Sequence, residues 1–146
     1  MIGLLQRVVE ACVQIDGKST AAIGPGLLVL VGIRPSDSEI SAATLLARLL
    51  QYRVFDDAAG RMNCSLRETH GELLLVPQFT LAADTHKGLR PGFSHAAPPL
   101  QARPLFDFLV AQAQAQHGVV KSGIFGANMQ ISLVNDGPVT FWLEAD

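Results

Sequence analysis

The chain has 146 residues, the length of one domain. Hydrophobic residues make up 49%, enough for a packed core, which excludes a disordered chain. Charged residues are only 16%, below the roughly 25% of ordinary soluble domains, so the surplus uncharged surface points to burial against another subunit. A net charge of −2 excludes a general polyanion binder, and any contact with nucleic acid must be local. Cys12 and Cys64 make neither a disulfide framework nor a zinc quartet. No apolar run approaches the ~18 residues that span a bilayer. Met1 to Arg7 lacks the features of a signal peptide. The expectation is a soluble, reduced, cytoplasmic protein occupying 1–146 as a single domain.

Residues 2–9 read as a first strand, continued by Cys12, Val13 and Ile15. Asp16-Gly17 is a dipeptide suited to a two-residue hairpin, with 18–23 as the return strand. After Gly24-Pro25-Gly26, Leu27 to Ile33 is a continuous apolar run, expected to be buried on both faces. Ser36 and Glu39 have capping-box spacing, and a helix is placed at about 37–51. Its apolar stripe is taken as Ile40, Ala43, Ala47 and Leu50, widened by Leu46 and Leu49. Tyr52 to Phe55 is a short strand, Asp56 to Gly60 a turn, and Glu72 to Val76 a strand ended by Pro77.

Residues 84–99 form a long loop rich in proline and basic groups, a length associated with function. Pro104 fits the first turn of a second helix, which Gly118 ends. Met129 to Asn135 alternates as a strand. Asp136-Gly137-Pro138 then reads as a turn into a last strand, Val139 to Leu143. The sum is α+β: seven or eight strands in a strongly curved, barrel-like sheet, with two main helices.

Several motifs fail. Gly17-Lys18-Ser19-Thr20 resembles the tail of a phosphate-binding loop, but Cys12 stands where its first glycine must fall. His70, His86, His95 and His117 show no i, i+4 pair and no cysteine at metal spacing, so neither a metal site nor a cofactor is expected. There is no Gly-x-Ser-x-Gly elbow.

Two segments mix apolar anchors with polar groups: Pro77-Gln78-Phe79-Thr80-Leu81-Ala82-Ala83-Asp84 and Asn135-Asp136-Gly137-Pro138-Val139-Thr140. Read from the residues alone, they are a strand end with a threonine turn and a tight hairpin. Together they resemble the signature of the D-aminoacyl-tRNA deacylases, Ser-Gln-Phe-Thr-Leu-Ala-Ala-Asp and Asn-x-Gly-Pro-Val-Thr. The resemblance covers essentially the whole chain. It includes Gln6-Arg7-Val8, Tyr52-Arg53-Val54-Phe55, Gly60-Arg61-Met62-Asn63, Gly88-Leu89-Arg90-Pro91 and Met129 to Trp142. One departure is Pro77 in place of the family's serine, a feature of related animal-type deacylases that proofread a different mischarged species.

The resemblance implies hydrolysis of the ester joining a D-amino acid, or glycine, to the 3′-terminal adenosine of tRNA. It implies a homodimer in which Gly137-Pro138, joined by a cis bond, enters the partner's pocket. Backbone carbonyls would hold the α-ammonium and block the direction an L side chain takes, which is specificity by a repulsive element. The expected oxyanion donors are main-chain amides near Gln78, Phe79 and Thr80. Thr80 orients water or substrate, or alternatively acts as nucleophile. The terminal 2′-OH of the tRNA handles the proton, leaving the protein mostly to position.

Phe79 and Met129 wall the pocket or are ordinary core. Arg7 braces the Gly137-Pro138 segment or is a surface arginine. Asn135 and Thr140 shape that segment or cap a turn. His86, Lys87 and Arg90 contact acceptor-stem phosphates or belong to a solvated loop. The alternatives to this activity are an animal-type deacylase with another substrate, motivated by Pro77, and a non-catalytic tRNA-binding dimer.

Overall fold

The computed structural model describes all 146 residues. The first hairpin forms as its sequence requires. Strand β1 (Ile2–Ile15) turns at Asp16 and Gly17, both at positive φ (50° and 75°), into β2 (Lys18–Ile23). Strand β3 (Gly26–Gly32) pairs antiparallel with the first half of β1. The chain then crosses over through helix α1 (Glu39–Gln51), the β4–β5 hairpin (Phe55–Asp56, Met62–Cys64) and the single turn α2 (Leu66–Thr69). It returns as β6 (Glu72–Pro77), parallel to β3. A 3-10 turn (Phe79–Ala82), the loop and helix α3 (Pro99–Gln116) make the second crossover, into β7 (Val120–Ser122), parallel to β6. Strand β8 (Gln130–Glu144) closes the chain against β1.

The apolar run of β3 is buried on both faces because the sheet has a core on each side. Leu27, Val29 and Val31 join Leu73 and Leu75 in the larger core beneath α1 and α3. Leu28, Leu74 and Val76 face Val8, Val13 and Ile23 in a smaller core inside the curl of the sheet. Strands β3 and β6 approach so closely that a Cβ at Gly26 would lie 1.9 Å from the carbonyl oxygen of Glu72. Only glycine fits there.

Four expectations need correcting. The cap of α1 is Ser38, whose main-chain N–H donates to Ser41 Oγ at 3.2 Å; Ser36 lies outside the helix. Its buried stripe is Ala42, Leu45, Leu46, Leu49 and Leu50, whereas Ile40, Ala43 and Ala47 are exposed. The buried face is the one that packs into the larger core, a choice made by the tertiary structure between two overlapping apolar stripes. Helix α3 starts at Pro99, so Pro104 lies inside it. The missing N–H of Pro99 falls among the donors without intrahelical acceptors, whereas Pro104, the sixth residue of the helix, removes the donor that would bond the Leu100 carbonyl. Tyr52 to Val54 is not strand, and β5, α2 and β7, too short for periodicity to show, went unrecognised.

The fourth correction bears on the site. Asp136-Gly137-Pro138 is not a turn between two strands. Strand β8 runs through it and pairs with β1 on both sides. Gln6 faces Thr140, but Val8, two residues on, faces Asn135, five residues back along β8. Three extra residues are therefore pushed out of the ladder as a wide bulge, with Gly137 and Pro138 at its exposed crest.

Candidate active site

The parallel strands β3 and β6 end side by side, and beyond their carboxyl ends lies a cavity of about 780 Å³. Strand ends from which crossover segments diverge are where α/β sheets form ligand crevices. Val31, Val76 and Pro77 form the floor. Gln78 and Phe79 make one wall, Phe93, Ser94, Ala96, Ala97 and Ala102 another, and Phe125 to Met129 the third. Phe79 is 56% exposed, so it is wall and not core. Its ring meets that of Phe93 with centroids 5.1 Å apart. Met129 serves two purposes: it lines the cavity and packs against the smaller core.

The main-chain donors at the strand end sort themselves. Gln78 N–H donates to Val31 O at 2.7 Å, extending the parallel ladder one residue past Pro77. That amide is engaged, which removes Gln78 from the expected oxyanion donors. The N–H groups of Phe79 and Thr80, at the first turn of the 3-10 helix, meet no main-chain acceptor. The side-chain amide of Gln78 donates to Thr80 Oγ1, which leaves the hydroxyl proton of Thr80 uncommitted. Neither carboxylate nor imidazole is hydrogen-bonded to Thr80, so it has no base to activate it.

Arg7, Asn135, Gly137 and Pro138 form a second constellation, none of it lining the cavity of the same chain. Arg7 is 7% exposed, not a surface arginine. Its Nε donates to Asp136 O at 3.1 Å and its Nη1 to Val54 O at 2.6 Å. It also pairs with Asp136 Oδ2 at 3.2 Å and with Asp56 Oδ1 at 3.6 Å. One planar fork thus ties the bulge of β8 to the segment entering the β4–β5 hairpin. Gly137 has φ +121°, and the Gly137-Pro138 bond is cis. A Cβ at Gly137 would lie 3.2 Å from Arg7 Nη2 and 2.8 Å from Val139 Cγ2. Asn135 and Thr140 are exposed and pair with Val8 and Gln6 on either side of the bulge.

The basic loop follows the 3-10 helix. Asp84 and Gly92 exchange main-chain hydrogen bonds of 2.8 and 2.9 Å, closing residues 85–91 into a loop. Asp84 Oδ1 also accepts from the His86 N–H at 3.0 Å and faces His86 Nδ1 at 2.8 Å. The main-chain bond from His86, followed by its ring, holds the Asp84 carboxyl below the usual carboxylate range. Lys87 and Arg90 are exposed and form no ion pair within the chain.

Sequence reasoning missed Phe93, Phe125 and Asn128 as cavity residues. Phe93 is the one aromatic in a stretch read for its charges, and 119–128 carried no periodic signal.

A curled mixed sheet with a cavity at its parallel strand ends is a scaffold that can host many chemistries, so the class of protein must come from its relatives and its site residues. Residues 4–144 match the family described as D-Tyr-tRNA(Tyr) deacylase, and the chain belongs to that family. It is 61% identical over 144 residues to a D-aminoacyl-tRNA deacylase of Thioalkalivibrio sulfidiphilus, covering 99% of this chain and 97% of the relative. It is 56% identical over 146 residues to one of Cellvibrio japonicus, covering all of both. Among solved structures it is similar to a c-Myc DNA unwinding element binding protein, with TM-score 0.96 and 36% identity, covering 100% of this chain and 99% of that one. A probable eukaryotic D-amino acid tRNA deacylase aligns with TM-score 0.86 over 98% of each chain. At 17% identity it speaks for the fold alone.

Proposed function

We propose that this chain hydrolyses the ester of D-aminoacyl-tRNA, in a site that a second copy of the chain completes. The observation that carries the reading is a separation. The cavity with its open amides and the exposed Gly137-Pro138 bulge are both elaborately held, yet they do not meet within one chain. A homodimer that seats the bulge of one protomer over the cavity of the other unites them.

In such a site the terminal adenosine lies between the Phe79 and Met129 walls. The N–H groups of Phe79 and Thr80 receive the oxygen that becomes negative as water adds to the ester carbonyl, a term that needs no charged catalyst. Thr80, held by Gln78, orients water or substrate. Collapse of the tetrahedral species breaks the bond to the ribose 3′-oxygen, which takes a proton from the neighbouring 2′-OH as that hydroxyl takes up the proton released by the added water. Free amino acid and tRNA leave.

The partner's Gly137 and Pro138 present main-chain atoms to the Cα of the substrate. An L side chain meets them, a D side chain points away, and glycine, with no side chain, passes. His86, Lys87 and Arg90, exposed on the loop that joins the Phe79 and Phe93 walls, supply phosphate contacts to the acceptor end. With aminoacyl-tRNA as substrate, the protein works where translation runs, in the cytoplasm. No helix is long and apolar enough to cross a membrane.

The test is deacylation of D-tyrosyl-tRNA and L-tyrosyl-tRNA side by side at catalytic enzyme concentration. Rapid loss of the D ester alone is expected, and Pro77 is then a tolerated variation. Equal loss of both esters overturns the chirality filter. Loss of neither, with L-alanyl-tRNA hydrolysed instead, moves the chain to the animal-type specificity.

A further inference from the structure

The third wall of the cavity, Phe125 to Met129, comes from the loop between β7 and β8, which few hydrogen bonds hold. It makes one internal turn, Ala127 N–H to Ile124 O at 3.2 Å. A single hydrogen bond reaches it from another element: Arg103 Nη2, on α3, donates to Phe125 O at 3.3 Å. The same guanidinium lies over the Phe125 ring, its carbon 5.2 Å from the ring centroid. The ring also meets the buried Phe106, three residues further along α3, with centroids 6.4 Å apart. Phe125 is therefore held by two side chains of one helix, a core aromatic and an exposed cation. Gly126, at φ +81°, turns the chain there, and a Cβ on it would lie 3.7 Å from Arg103 Nη2.

We propose that Arg103 is a positioning residue, which clamps Phe125 as the nucleoside-facing wall of the cavity and so sets affinity for the terminal adenosine. This rests on the reading of the cavity given above. The physical case is one of geometry. A guanidinium satisfies a carbonyl and a ring face at once because its donors lie in the plane that stacks. Helix α3, packed against α1 and the larger core, is the rigid support that the loop lacks. Arg103 is exposed and lines no part of the cavity itself, so it acts through Phe125.

The experiment compares wild type, Arg103→Met, Arg103→Lys, Phe125→Leu and the double variant Arg103→Met/Phe125→Leu. Adenosine binding is measured by calorimetry, and kcat and KM on D-tyrosyl-tRNA at several salt concentrations. Arg103→Met is expected to weaken adenosine binding and raise KM by about tenfold, with kcat within about twofold. Lysine restores part of this, because it keeps the cation and loses the fork. In the Phe125→Leu background the Arg103→Met effect shrinks to what the bond to the main-chain carbonyl of residue 125 supplies, since the ring contact is already gone. The salt dependence of KM stays that of wild type.

Unchanged adenosine affinity in Arg103→Met overturns the proposal. So does a KM effect that shrinks with salt and persists without Phe125, which would make Arg103 a phosphate contact. A wild-type protein that hydrolyses the ester yet does not bind adenosine overturns the clamp while leaving the activity standing. A wild-type protein that does neither overturns the reading of the cavity itself.

Discussion

Thr80 is the one hydroxyl in its motif, and its oxygen already accepts a bond from Gln78. An orienting group and a nucleophile leave different kinetic traces. Thr80→Val is expected to lower kcat by roughly tenfold to a hundredfold, the scale of lost orientation. Loss of a true nucleophile costs on the order of a millionfold, and single-turnover hydrolysis separates the two. Arg7 acts at a distance from the cavity of its own chain. Lysine there cannot bond Val54 O and Asp136 O together, so Arg7→Lys is expected to cost about tenfold or more in kcat/KM. Adenosine binding should stay unchanged in the same protein. A parallel loss of adenosine binding would place Arg7 at the wrong site.

Among the elements, the β3–β6 ladder fixes the floor of the cavity, and its closest approach is at Gly26. Gly26→Ala puts a methyl group 1.9 Å from Glu72 O, so the strands must separate. The variant is expected to be insoluble or to lack a cooperative unfolding transition by circular dichroism. Helix α1 is held chiefly by its buried stripe. Leu45→Ala, at a fully buried position outside the expected stripe, is expected to cost about 2–5 kcal/mol in urea unfolding, while Ile40→Ala, at an exposed one, changes little. The reverse ranking would restore the helical face read from sequence.

At the scale of the molecule, acid stability and assembly are open to measurement. Glu144 is held below the usual carboxylate range by its bond to Arg34 and then by Trp142, and Glu68 by Ser65. Asp84 is lowered in the same sense. Carboxyls lowered in the folded state bind fewer protons there than in the unfolded chain. Their contribution is complete above the ordinary carboxylate values of about 4 and is lost as pH falls through the lowered ones. The midpoint of thermal unfolding should be level near neutrality and fall below about pH 4. Arg34→Met should flatten part of that fall, a comparison differential scanning fluorimetry makes directly. Strand β8 pairs only with β1, and Val134, Phe141 and Trp142 on it are exposed. An apolar strand left open in this way is a liability unless covered. The proposed homodimer gives a sedimenting mass twice that of the chain at micromolar concentration, and a monomer there would remove the shared site.

Alternation, turn chemistry and the unbroken apolar run made the β1–β2 hairpin, the doubly buried β3 and both long helices legible in the sequence. Each depends on neighbours a few residues apart. The motif residues were legible as well, and Gln78, Phe79 and Met129 do gather at one cavity. What only the tertiary structure decided was set by distant partners. The helical face of α1 was chosen by its packing against the larger core. The Gln78 amide was claimed by Val31, on a strand that periodicity could not pair with it. Gly137-Pro138 looked like a turn because glycine and proline break local patterns. It is a bulge because β1 is long enough to pair with the chain on both sides of it. The clamp of Arg103 on Phe125 joins residues far apart in the chain and has no signature in either neighbourhood. Sequence fixes what the backbone does over a few residues, whereas hydrogen bonds and packing between remote segments choose which of those options meet.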